Sequence, residues 1–193
     1  MGLVVAILAG GAGRRIGGDK PHRLLGGARL LDHALKHAHV IAAPSILVAR
    51  SPEQVAGFDG TVVLDAPGIE GPLAGLLSAL SWAAAAGADR VLTLACDMPF
   101  LPDDLHHRLE QALTSEVGVA VAASDGRLHP VCAVWRTAVV PTLVRRAEEG
   151  RLSLRGLSEA VGCAVVDWPV GGGDPFININ TAEDLAAAEA ALG

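Results

Sequence analysis

Apolar positions along the chain follow two alternating rhythms. Short runs bounded by turn-forming residues alternate with longer stretches in which apolar residues return every three or four positions. Leu3–Leu8 is apolar without interruption, the pattern of a strand covered on both faces. Leu30, Leu31, Ala34, Leu35 and Ala38 recur at helical spacing, and S-I-L-V-A (45–49) and T-V-V-L (61–64) read as strands. The stretch 71–87 predicts a helix, with Pro72 suited to its first turn and Gly87 to its stop. V-L-T-L-A (91–95) is a further buried strand, and 102–113 predicts a helix with Asp103 and Asp104 in its first turn. Residues 117–123 and 130–135 flank S-D-G-R-L-H, where Asp-Gly signals a hairpin whose loop holds two residues or more. Helical stretches near 137–149 and 153–161, a strand at 164–168 and the loop G-G-G-D-P follow. Thr181 with Asp184 three residues later predicts a capped terminal helix.

Strand and helix in repeated alternation predict an α/β chain, a three-layer sandwich with a mostly parallel sheet and one antiparallel hairpin. No repeat, linker or charge block divides it, so residues 1–193 are expected to form a single domain. Sheets of this class bind ligands at the carboxyl ends of their strands. Two such ends carry unusual residues: Leu8-Ala9-Gly10-Gly11 after the first strand and Cys96-Asp97 after the 91–95 strand.

Composition narrows the partners. A hydrophobic share of 51% against 19% charged describes a globular chain. The net charge of −6 disfavours nucleic acid, while a local basic loop still suits a small anion. Cysteines at 96, 132 and 163 are odd in number and widely spaced, which argues against disulfides or a zinc site. The first apolar run lacks the flanks of a signal peptide, and no run is long enough for a membrane helix. A soluble, cytoplasmic protein, reasonably a monomer, is expected.

Between Gly10 and Lys20 the chain places five glycines, two arginines and one lysine directly after a buried strand. Neither common phosphate fingerprint fits. Position 16 is Ile where a dinucleotide motif needs a third glycine, and Lys20 is followed by Pro21 where a Walker loop needs Ser or Thr. The physics still favours phosphate. Bare backbone can aim several N–H groups at one anion, Arg15 can fork two oxygens, and Lys20 can sit as a point charge on an α-phosphate. Asp97 at a strand end is a fitting Mg²⁺ ligand for phosphate transfer, with a helix cap as its ordinary structural use. Asp65 closes the third strand, either as a ligand contact or as a turn residue before Ala66-Pro67. Asn178 and Asn180 alternate with Ile177 and Ile179, which would set both amides on one face of a strand as a polar wall, or as turn formers.

The stretch L-A-G-G-A-G-R-R-I-G-G-D-K-P resembles the signature L-x-G-G-x-x-x-R-[M/I/F]-G-x-x-K of nucleotidyltransferases with the Rossmann-like NTP-transferase fold. Within that superfamily the chain is similar to the molybdenum cofactor guanylyltransferases. L-D-A-P-G-I-E-G-P-L-A-G-L (64–76), L-A-C-D-M-P-F-L-P (94–102), L-H-P-V (128–131) and F-I-N-I-N-T-A-E-D-L (176–185) carry the likeness along almost the whole chain. The resemblance implies transfer of GMP from GTP to the terminal phosphate of molybdopterin, with Mg²⁺ as cofactor and pyrophosphate as product. It implies a metal role for Asp97 and catalytic roles for Lys20, Arg15 and Asp97. Nucleotide contacts are expected from Leu8, Ala9, Gly10, Gly11, Lys20, Asp65 and Asp97. His129, Asn178 and Asn180 are expected on the acceptor side. A GTP-binding helper and a cofactor-insertion protein are conceivable partners. Rival readings keep the chemistry with CTP or a sugar or polyol phosphate, or reduce the chain to a regulatory nucleotide-binding module. One departure stands out: the family often has Asn at the end of strand two as a guanine contact, where this chain reads V-A-R-S-P, so that Ala49, Arg50 or Ser51 takes that place.

Overall fold

The computed structural model describes residues 2–10 and 19–192. Its main sheet has seven strands: β1 (Leu3–Leu8), β4 (Ser45–Ala49), β5 (Thr61–Leu64), β6 (Arg90–Ala95), β7 (Val119–Ser124), β8 (Arg127–Arg136) and β9 (Cys163–Trp168). Their order across the sheet is β5-β4-β1-β6-β8-β7-β9. All run in one direction except β8, which is antiparallel to both of its neighbours. From β1 the chain steps outward to β4 and β5, then returns to lay β6 on the other side of β1. The carboxyl ends of β1 and β6 therefore border the crevice where the winding reverses.

Side-chain alternation builds the layers. Val5, Ile7, Leu47, Leu92 and Leu94 point to one face, covered by α1 (Leu30–Val40) and α3 (Leu105–Ala112). Val4, Ala6, Ile46, Val48 and Val91 point to the other, covered by α2 (Pro72–Ala85), α4 (Val140–Glu148) and α5 (Leu154–Val161). A period of two in every central strand thus fills two cores, and each fully buried leucine or isoleucine contributes about 1.5–3 kcal/mol. A smaller cluster of Leu25, Leu30, Ile179 and Ala188 docks α6 (Ala182–Leu192) beside a second small sheet, β2 (Leu24–Leu25) with β3 (Ala28–Arg29). Among the described residues no helix is long and apolar enough to cross a membrane.

The expected hairpin forms with the shortest loop. Ser124 pairs with Arg127 across Asp125 and Gly126, whose φ angles of +47° and +70° suit the twist of the flanking strands. Pro130 is tolerated inside β8 because the register slips there: Val121 faces Ala133 and Ala122 faces His129. Two expectations need correction, and one element is new. The helix predicted over 102–113 starts only at Leu105, with Asp104 as its N-cap residue, whose carboxylate takes a 2.9 Å hydrogen bond from Trp168 Nε1 and makes no cap bond. The 176–180 segment is no strand: Ile179 is fully buried while Ile177 is 43% exposed, so the two isoleucines do not share a face. The β2–β3 hairpin was not anticipated at all.

Candidate active site

The crevice at the switch point is built from five chain segments. Ala9 is anchored after β1 by donating its N–H to Val48 O at 2.8 Å, and Cys96 N–H reaches Leu8 O at 3.4 Å. Asp97 follows β6. The extended 176–180 segment is tied to it backbone to backbone, with Ile179 N–H donating to Asp97 O at 2.9 Å. Beyond it, the Asp184 carboxylate accepts from the N–H groups of Asn180 and Thr181 at 2.8 and 2.9 Å, and Thr181 Oγ1 accepts from Asp184 N–H. That reciprocal cap fixes Asn180 at the start of α6. The two backbone N–H groups hold the Asp184 carboxyl below its ordinary range.

Lys20 enters from a short 3-10 turn, Lys20–His22. Its Nζ donates to Asp97 Oδ2 at 2.5 Å and to Asn180 Oδ1 at 2.8 Å. Residues far apart in the sequence thus converge on one ammonium, whose side chain is only 11% exposed against 21% for Asp97. An ammonium has three N–H donors, so one remains for an incoming oxygen. Asp97 has a second carboxylate oxygen, and this donor set of hard oxygens fits Mg²⁺, which takes one or two carboxylates and fills its shell with water and phosphate. Among the described residues no group of three or more His, Cys, Asp or Glu could hold a metal ion, so a closed protein cage such as zinc prefers is not formed by them.

Asp65 lies at the other wall. Its N–H donates to Ala49 O at 2.9 Å, continuing the β4–β5 ladder. Its carboxylate faces bare backbone: a Cβ on Gly10 would meet Oδ2 at 3.4 Å, and one on Gly75 would meet Oδ1 at 3.1 Å. Burial pushes the Asp65 carboxyl above its ordinary value, and the charge of Arg50 opposes that shift.

The predicted residues separate into two groups. Leu8, Ala9, Gly10, Lys20, Asp65, Asp97 and Asn180 all belong to this crevice or its rim. Gly11 and Arg15 lie outside the described residues. Asn178 is exposed. His129 is 7% exposed and occupied: its Nε2 is 2.7 Å from Ser124 Oγ, which donates onward to Asp174 Oδ1 at 2.8 Å. Its ring stacks on Phe176, centroids 4.7 Å apart. Asp174 also accepts from Phe176 N–H at 2.9 Å, so the network holds the 174–180 segment against the sheet. Ser124 and Asp174 carried no sequence signal, since each needs the other nearby to have meaning. Cys96 is packing: complete burial pushes its thiol up to about 12, far from a nucleophile.

Residues 5–163 match the MobA-like NTP transferase domain. The chain belongs to that family. A molybdenum cofactor guanylyltransferase of Bradyrhizobium sp. (strain ORS 278) is 42% identical over 197 residues, covering 95% of this chain and 90% of the relative. One from Cereibacter sphaeroides (strain ATCC 17029 / ATH 2.4.9) is 40% identical, covering 100% of this chain and 98% of its own. Among solved structures, molybdopterin-guanine dinucleotide biosynthesis protein A from Archaeoglobus fulgidus superposes with a TM-score of 0.77 at 25% identity, covering 97% of each chain. The protein is thus a nucleotidyltransferase, and membership of the family agrees with the mostly parallel sheet and the crevice described above.

Proposed function

We propose that the protein transfers GMP from GTP to the terminal phosphate of molybdopterin, metal-loaded or not, and releases pyrophosphate. The observation that carries this reading is the convergence of Lys20, Asp97 and Asn180 at the β1–β6 switch point. The names borne by relatives at about 40% identity over nearly the full length support the choice of substrates.

In this reading the triphosphate lies along the backbone that follows Leu8, with Lys20 beside the α-phosphorus. A terminal phosphate oxygen of the acceptor attacks that phosphorus in line. The bond to the β-phosphate bridging oxygen breaks, and pyrophosphate leaves with its electron pair. The attacking oxygen is already ionised, so no residue need take a proton. Lys20 uses its third N–H on the oxygen where charge builds, inside a site that excludes much of the solvent. Asn180 keeps the ammonium aimed, and Asp97 balances its charge and would hold Mg²⁺. The metal, when bound, withdraws charge from the phosphates. Arg15 adds a forked cation from the loop, Asp65 contacts the nucleotide at the far wall, and Asn178 serves the acceptor side. His129 acts on that side by fixing the 174–180 segment. The protein works as a single domain and a monomer in the cytoplasm.

The test is product analysis with α-labelled GTP, Mg²⁺ and molybdopterin. Label should move to a guanine dinucleotide with one pyrophosphate released per transfer. Label that stays in GTP, or transfer seen only when α-labelled CTP replaces GTP, would overturn the reading.

A further inference from the structure

The short turn that carries Lys20 holds a second side chain with no role so far. The 3-10 turn Lys20–His22 has little rigidity of its own. It is closed by His22 N–H to Asp19 O at 3.1 Å and by Arg23 N–H to Lys20 O at 3.2 Å, with no side-chain cap. The chain enters it at Asp19 with φ of +51°, a region that a residue other than glycine keeps only where its surroundings hold it. Contacts outside the turn therefore decide where the Lys20 side chain starts.

His22 supplies such a contact. Its Nε2 lies 3.1 Å from Gln54 O. A carbonyl only accepts, so Nε2 carries the hydrogen and donates it. The Asp19 carboxylate is 3.8 Å from the same nitrogen, beyond hydrogen-bond reach. Gln54 is a firm mooring. It belongs to the turn Pro52–Val55 that follows β4, and Val55 is buried in the core. Gln54 N–H donates to Ser51 O at 3.2 Å, and Gln54 Oε1 accepts from Arg50 N–H at 2.8 Å. β1 lies between β4 and β6 in the sheet. One end of the lysine turn reaches the segment after β4 through His22, and the other reaches the residue after β6 through Lys20. Three residues thus brace the crevice across the carboxyl end of β1, over two strand spacings or about 10 Å. Lysine has a long, flexible stem, so its ammonium keeps one place only if the backbone beneath it does.

We infer that His22 is a positioning residue for the transfer reaction: its bond to Gln54 O fixes the backbone beneath Lys20, so that the ammonium meets Asp97 and Asn180. His22 touches neither substrate and acts through Lys20 alone. The inference rests on the catalytic reading of Lys20 above.

The chain has two lysines, and Lys36 is exposed while the Lys20 side chain is mostly covered. Competitive acetylation of the folded protein with trace acetic anhydride, read by peptide mass spectrometry as the ratio of Lys20 to Lys36 label, therefore reports the place of Lys20 without any substrate. It is run beside kcat and KM for GTP, and beside thermal unfolding, on the wild type, H22A, H22N, H22Q and K20M. H22A should raise the labelling ratio several-fold and lower kcat on the order of ten- to a hundredfold, with KM for GTP nearly unchanged. H22Q, whose amide nitrogen can take the place of Nε2, should recover both readouts. H22N, whose shorter amide stops short of Gln54 O, should behave as H22A does. The two amides keep the comparison sound if H22A unfolds. H22A and H22N with the wild-type ratio and kcat would overturn the assignment and leave the proposed transfer intact. A lower kcat at an unchanged labelling ratio would overturn it as well, since His22 would then act by another route. K20M with wild-type turnover would overturn the reading of Lys20 and the inference with it.

Discussion

The two polar clusters that meet the 174–180 segment differ in what they leave unspent. Around His129 each polar group is used on another: the imidazole meets Ser124, Ser124 donates to Asp174, and Asp174 takes Phe176 N–H. Ser124 is completely buried and the ring is covered by Phe176. Around Lys20 the groups converge but do not saturate. Among the described residues the ammonium keeps a donor and Asp97 an oxygen, and Asp65 faces two glycines. A closed network rigidifies, and an open one at a strand's carboxyl end is built for a ligand. The same residue types therefore serve scaffold in one place and chemistry in the other.

Substitutions should separate the two. Asp97→Asn keeps shape and removes the charge that faces Lys20, so turnover should fall on the order of a thousandfold while thermal unfolding moves by only a few degrees. Comparable loss of both would make Asp97 a structural residue. Ser124→Ala should do the reverse. It strands the buried His129 Nε2 and removes one of the two donors to Asp174, costing about 2–3 kcal/mol and roughly 5–10 °C in Tm, with turnover at low temperature within a few-fold of wild type. An unchanged Tm would show that the network is not closed. Gly75→Ala is gentler. Its Cβ would press Asp65 Oδ1 at 3.1 Å, so GTP affinity should drop several-fold, while the helix gains what alanine offers over glycine. Affinity equal to wild type would mean that Asp65 does not touch the nucleotide.

The smallest effect is on pH. Burial is the main cause that holds the His129 and His37 imidazoles below their ordinary value, against the pull of Asp174 on the first and of the Pro99 backbone on the second. As pH falls, the unfolded chain takes up these protons first. Stability should therefore be full above about pH 6.5 and decline below it, levelling once the folded-state values are passed. His129→Gln should flatten part of that slope in Tm measured from pH 7.5 to 5.5. A slope unchanged in the variant would remove His129 from the account.

Much of this was readable in the chain. Uninterrupted apolar runs marked the buried strands, and Asp125-Gly126 marked the hairpin because its turn demands those residues. The end of β6 was enough to single out Asp97. What escaped had physical reasons. β2 and β3 hold two residues each, too few for alternation to register, although Gly26-Gly27 with φ of +58° and +79° was a visible turn signal. The alternation of Asn178 and Asn180 suggested a strand, but 176–180 joins no sheet: it is held by the Ile179 N–H bond to Asp97 O, by side-chain bonds from Asp174 and Asp184 to its backbone, and by the burial of Phe176 and Ile179. Nor could spacing place Asp65 beside the end of β4, since that depends on the register of two separate strands.

The central claim is that Lys20 and Asp97 form a transfer site whose product contains guanine. It is tested most directly by pyrophosphate release from GTP in the presence of molybdopterin, comparing wild type with Asp97→Asn at a temperature where both are folded. The account predicts stoichiometric pyrophosphate and guanine dinucleotide from the wild type and almost none from the variant. A variant that turns over at near the wild-type rate would contradict it.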